Sequence, residues 1–192
     1  TPSPASRAPI RSAIARLTDD RLVETKPQSF TRVTPVVDAE VRDAVQVVRA
    51  MHELVVGLAV PLLTDDDVAR MVAANDRFTA SVGAGDVEAA LVADDEFHDV
   101  PVLVAGNRAA AATIERFTPL IRRLERSKFT EVPGRESVQL HARLMSAFRR
   151  RDAEEAVAIT SRIWTALEQQ LDAGIAGTTH DVPHAAYHRE DR

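Results

Sequence analysis

The sequence predicts an all-α antiparallel bundle of six to seven helices preceded by a partial winged helix-turn-helix. Three observations predict it. From residue 38 onward, apolar residues recur at helical spacing in one segment after another. Several of those segments open on a capping side chain: Asp38, Thr64, Asp86, Asn107 and Asp152. The only strand-like patterning lies before residue 35. Seven glycines in 192 residues leave little to interrupt helix, and with 4% aromatics the core must be built from Ala, Val, Leu and Ile.

Taken in order, Ser6 can cap a first helix with Pro9 in its first turn, running to about Leu22 with Ile10, Ala13, Ile14 and Leu17 as its stripe. Leu22–Thr25 and Phe30–Val33 read as two short strands around Lys26-Pro27-Gln28-Ser29. A helix followed by a small hairpin is the second half of a winged helix, and two further helices are expected to precede it. Residues 1–35 thus form a partial DNA-binding-type head. Residues 36–173 form the bundle. Its helices are expected from Asp38 to Leu62, Thr64 to Gly83, Asp86 to Gly106, Asn107 to Phe129 with a bend at Pro119, Pro133 onward, and Asp152 to Asp172. Residues 174–192, which open on Gly174, read as a flexible tail.

Charge separates the two parts. The first 35 residues carry three positive charges in surplus, so the remainder holds -8 of a net charge of -5. A basic head on an acidic body suits a head that meets a polyanion. Cysteine is absent, which excludes disulfides, thiolate metal sites and cysteine nucleophiles. No apolar run is long enough to span a bilayer and no signal peptide opens the chain, so a cytoplasmic location is expected.

Chemistry concentrates in Asp94-Asp95-Glu96-Phe97-His98. Asp94 and His98 lie one helical turn apart and share a face. The surrounding Ala89, Ala90, Val92, Ala93, Phe97 and Val100 to Leu103 argue that much of this helix is buried, where a carboxylate and an imidazole need partners. His141 sits on a second helix of similar character. Asp and neutral imidazole suit zinc, nickel or manganese, with water in the open positions. A buried hydrogen-bonded Asp–His pair without metal is the competing reading.

Ser6-Arg7-Ala8-Pro9-Ile10-Arg11 with Leu22-Val23-Glu24 resembles the recognition helix and wing of the GntR family of bacterial transcription regulators. The body resembles the FCD domain of the FadR-like subfamily. The landmarks are Val48 to Glu53, Leu63 to Asp67, Gly85-Asp86, Asp94 with Phe97-His98, Ala105-Gly106-Asn107, Glu136 with His141, and Arg151-Asp152-Ala153. The resemblance implies a dimeric, effector-responsive, DNA-binding regulator of repressor type. Its helical domain would bind a small carboxylic acid, in many members through a divalent metal. Asp94, His98 and His141 match three of the family's metal ligands. The fourth, a histidine, falls on Ile163, followed by Trp164, a departure that points to a more apolar pocket floor.

On this resemblance Arg7 and Arg11 face base edges and phosphates, Ser6 caps the helix and touches phosphate, and Thr31 and Arg32 reach phosphate from the wing. No glycine stands at the wing turn, where Ser29-Phe30 lies. Arg49, on an apolar helix, is a candidate partner for an effector carboxylate, with an ion pair to Glu53 as the alternative. The expected effector contacts are therefore Arg49, Asp94, His98, His141, Ile163 and Trp164. His52 reads as structural or exposed, and Arg122, Arg123 and Arg126 as a solvated basic face. His180, His184 and His188 read as tail residues. Two other functions compete. One is a metal-dependent helical enzyme using activated water. The other is a ligand-free helical dimerisation module, which a pocketless apolar interior would favour.

Overall fold

The computed structural model describes residues 7–20, 22–35, 37–128 and 134–178. In chain order the elements are α1 (Arg7–Asp19), β1 (Val23–Lys26), β2 (Phe30–Val33), α2 (Asp38–Ala59), α3 (Asp65–Ala84), α4 (Val87–Ala105), α5 (Arg108–Lys128), α6 (Gly134–Arg149) and α7 (Ala153–Thr178). Helices α2 to α7 form the expected bundle, and α1 with an antiparallel β1–β2 hairpin forms the expected head.

In the head, α1 packs on β1 and Thr34 N–H bonds Leu22 O at 3.1 Å, closing the foot of the hairpin. Its turn uses Pro27, whose ring fixes a negative φ, followed by Gln28 at φ 60°, with Ser29 N–H on Lys26 O at 3.0 Å. The left-handed position that usually takes glycine is therefore Gln28, and it carries a Cβ at some cost in strain.

The caps follow the sequence closely. Thr64 Oγ1 accepts from Asp67 N–H while the Asp67 carboxylate accepts from Thr64 N–H, a reciprocal capping box for α3. Asp86 caps α4 through Ala89 N–H, Asn107 caps α5 through Ala110 N–H, and Asp152 caps α7 through Glu155 N–H. Asp38 does not cap α2; Val37 holds that place with no side-chain hydrogen bond. Pro133 lies outside the described residues. Helix α7 continues through Gly174 to Thr178, beyond the expected end at residue 172. Glycine lowers helix propensity by about 1 kcal/mol without forbidding the conformation.

Among the described residues, two prolines lie in helices beyond the first turn, Pro101 in α4 and Pro119 in α5. Each lacks the N–H that would pair with the carbonyl one turn earlier, on Phe97 and Glu115 respectively.

The core consists of two apolar clusters. One gathers Val56, Met71, Phe97, Leu144, Phe148 and Ile159, with Ile163 against it. The other gathers Val41, Val45, Val48, Val55, Ile114 and Ile121, with Trp164 against it. Consecutive residues of α7 thus serve different clusters, and α4, which contacts α2, α3 and α5, runs beside both.

Candidate functional site

Helix α4 presents Asp94 and His98 one turn apart, and α6 brings His141 to them. Asp94 Oδ1 lies 3.7 Å from His98 Nε2 and 3.4 Å from His141 Nε2. One ligand atom from each residue falls within 4.8 Å of the others. His141 is fully buried and neither of its ring nitrogens has an aligned hydrogen bond. Its ring stacks on Phe97 at 4.3 Å between centroids and tilts against Phe78, which fixes its direction. An unsatisfied buried imidazole beside a carboxylate and a second imidazole fits a divalent cation that accepts nitrogen and oxygen ligands.

The other oxygen of Asp94 is held from α5. Arg122 Nη2 donates to Asp94 Oδ2 at 2.5 Å and to Asp95 Oδ1 at 2.5 Å, Nε donates to Asp95 Oδ1 at 2.9 Å, and Nη1 donates to Glu125 Oε2 at 2.6 Å. One mostly buried guanidinium therefore binds three carboxylates. The sequence reading placed Arg122 on a solvated face, and the structure corrects it. Arg123 and Arg126 diverge: Arg126 pairs with Glu88 at the surface, while Arg123 Nη2 donates to the Thr34 carbonyl at 2.5 Å, tying α5 to the segment between head and bundle.

These surroundings set protonation. Burial opposes the Asp94 charge, yet Arg122, His98 and His141 outweigh it and hold the carboxyl below its ordinary range. Burial lowers His98 to about 4 against the pull of Asp94, and lowers His141 as well. Both imidazoles are neutral at pH 7, as metal ligands must be. Burial raises Glu125 to about 7 despite Arg122.

A chamber of about 880 Å³ opens on this group, lined by Asp94, His98, Arg122, Glu125, His141 and Ile163 among others. Trp164 lines it too. A second chamber of about 480 Å³ lies on the α2–α5 side, and His98, Arg122 and Trp164 border both. The interior is thus not pocketless, the condition that would favour a ligand-free dimerisation module.

Of the expected site residues, the structure brings Asp94, His98, His141, Ile163 and Trp164 to one chamber. It does not bring Arg49, which pairs with Glu53 at 3.5 Å and Glu168 at 3.5 Å, donates to Thr165 Oγ1 at 3.3 Å, and lines neither chamber. Two acids on α2 and α7 satisfy that guanidinium where it stands. His52, read as structural or exposed, is buried, stacks on Trp164 at 4.9 Å and borders the second chamber. In the head, Arg7 opens α1 and Arg11 and Thr31 are exposed. Arg32 is exposed, pairs with Glu24 and stacks over Phe30 at 4.9 Å. Ser6 and the histidines at 180, 184 and 188 lie outside the described residues. Arg122, Glu125 and His52 are the site residues that sequence reasoning missed.

A helical bundle with Asp94, His98, His141 and Arg122 on one chamber, preceded by a short helix and a two-stranded hairpin, is an all-helical domain of the kind found in regulators. The chain belongs to the FCD domain family, which matches residues 43–166, the helical domain of the GntR-family regulators it resembles. The HTH-type transcriptional repressor RspR of Escherichia coli is 23% identical over 150 residues, which cover 78% of this chain and 66% of that protein. The chain thus spans about two thirds of that relative's length. Among solved structures, E. coli McbR/YncC matches with a TM-score of 0.81 at 18% identity, covering 88% of this chain and 82% of that one. A GntR-family transcriptional regulator from Pseudomonas syringae matches with a TM-score of 0.61 at 17% identity, covering 90% and 73%. These likenesses are to transcriptional regulators rather than to enzymes.

Proposed function

We propose that the chain is the effector-responsive portion of a DNA-binding transcriptional repressor whose bundle binds a small carboxylic acid. The observation that carries this reading is the convergence of Asp94, His98, His141 and Arg122 on one chamber of about 880 Å³ in an FCD domain. Asp94 Oδ1 and the two imidazoles would hold a divalent cation (zinc, nickel or manganese), which when bound supplies a Lewis-acid contact for the effector's carboxylate. The chain's own residues do the rest. Arg122 holds Asp94 in place, and Phe97 and Phe78 fix His141. Ile163, where a fourth ligand is expected, favours an effector with an apolar part.

The head would meet operator DNA through Ser6, Arg7 and Arg11 at the start of α1 and through Thr31 and Arg32 at the wing, in the cytoplasm where its DNA lies. A second copy would cover the apolar stripe of Val47, Leu54 and Leu58 along α2, all exposed in the single chain. Two such heads would favour a palindromic operator.

The test is titration of the intact protein onto labelled DNA from its own upstream region, across salt and with a panel of carboxylic acids. Sequence-specific binding that weakens steeply with salt and responds to one acid is expected. No specific binding at any salt overturns the reading. Elemental analysis of gently purified protein tests the cation separately. Metal bound in the native chain and lost in His98→Ala is expected, and its absence from both removes the metal alone.

A further inference from the structure

The second chamber differs in chemistry from the first. Its mouth carries Asp95, Asp99 and Glu115, and neither Asp99 nor Glu115 has an ion-pair partner among the described residues. Among the described residues the cation bordering it is Arg122, which Asp94, Asp95 and Glu125 already occupy. Apolar side chains of Val102, Ile114 and Ile121 form its inner wall, and the stacked His52–Trp164 pair closes one side. His52 is 4% exposed, and its Nδ1 has no hydrogen-bond partner; the Trp164 Nε1 is buried and unpartnered too. An indole face and two uncommitted carboxylates favour a positive guest, and the neutral His52 ring, one of whose two nitrogens carries a lone pair, adds no positive charge. An anion would meet repulsion at the mouth and no free cation inside.

We propose that this second chamber binds an organic ammonium, a protonated amine carried on a compact apolar body. The amine sits between Asp99 and Glu115, and its body lies against Val102, Ile114 and the Trp164 ring. The chamber shares His98, Arg122 and Trp164 with the first, so its occupant touches the residues that hold Asp94. An amine can thereby modulate the acid site, or form the other end of a zwitterionic effector.

The experiment uses the chain's one tryptophan, which stands in the wall of the proposed site. Benzylammonium, benzyl alcohol and phenylacetate are titrated separately while Trp164 emission is followed, with and without a chelator. Benzylammonium is expected to saturate the signal and to bind at least about tenfold more tightly than the alcohol, an advantage that salt reduces. The double variant Asp99→Asn/Glu115→Gln changes only exposed carboxylates, and circular dichroism checks its fold. It should lose about tenfold in benzylammonium affinity and leave phenylacetate binding unchanged. Equal binding of ammonium and alcohol, or ammonium binding indifferent to the double variant, overturns the proposal. Neither result bears on the metal and acid site, which the chelator arm and operator titration read independently.

Discussion

Asp94 and Arg122 form the hinge of the site: the guanidinium takes Oδ2 at 2.5 Å and leaves Oδ1 turned toward the two imidazoles. Replacing Arg122 by Met would strand Asp94 and Glu125 as buried acids with no cation. We expect a loss of about 3–5 kcal/mol, the usual consequence of removing one partner of a buried charge group. Urea unfolding of the chelator-treated protein measures it. A loss under about 1 kcal/mol would show that water already satisfies these carboxylates.

Acid should destabilise the metal-free protein earlier than carboxylate titration alone predicts. His52, His98 and His141 have lowered folded values, about 3 and about 4 for the first two, so the unfolded chain binds more protons below pH 6.5. Their contribution is complete above pH 6.5 and is lost as pH falls through the folded values. Glu125 acts oppositely: its raised value, about 7, stabilises below its ordinary 4.5 and loses that contribution as pH rises through 7. The histidines outweigh Glu125 and the smaller opposing rise at Asp99, and leave a net stability decline from pH 6.5 to 4.5 of roughly 1–2 kcal/mol per pH unit. Chemical denaturation at stepped pH reads the slope, and a flat profile over that window would contradict the buried neutral imidazoles.

Glu125→Gln isolates the opposing group. The amide keeps the shape and a hydrogen-bond acceptor for Arg122 but does not ionise. The variant should gain stability relative to the native chain as pH rises from 5 to 8, by about 1 kcal/mol for each unit of pKa shift removed. The same denaturation series, run in parallel, checks the sign.

Arg123 offers a separable test of communication with the head. Its bond to the Thr34 carbonyl is charge-assisted, and Thr34 N–H in turn holds Leu22 O. Arg123→Ala should speed amide exchange over residues 22–34 by roughly tenfold, the effect of losing about 1–2 kcal/mol of local protection. Metal content and ligand affinity in the bundle should stay as they were. Unchanged exchange would mean that the tie carries no strain between head and bundle.

Much of this was readable in the chain. Thr64, Asp86, Asn107 and Asp152 announced four helix starts because a short polar side chain before an apolar run has few other uses. The Asp94–His98 spacing implied a shared buried face, and the face is buried. Arg122 escaped because three arginines in five residues look like a wet surface, and only the packing of α5 reveals that they point three ways. A clue was present one turn on: Glu125 falls in register with Ala110, Ile114 and Ile121, so an acid stands in a core stripe and requires a cation nearby. His52 likewise continues the stripe of Val41, Val45 and Val48. For Arg49 the local pattern shows only part of its surroundings: the Glu53 pair one turn on is legible, while Glu168 and Thr165 lie more than a hundred positions away and no local pattern discloses them.

Pro101 lies three positions past His98, and Pro119 three positions before Arg122. Helix α4, which carries Asp94 and His98, and helix α5, whose Arg122 holds Asp94, are each missing a rung within a turn of those residues. Such rods bend at low cost in one place and stay stiff elsewhere. A guest that reshaped the Asp94 cluster would thus find a compliant point in α4 and in α5, and α5 is tied through Arg123 to the chain leading into the head.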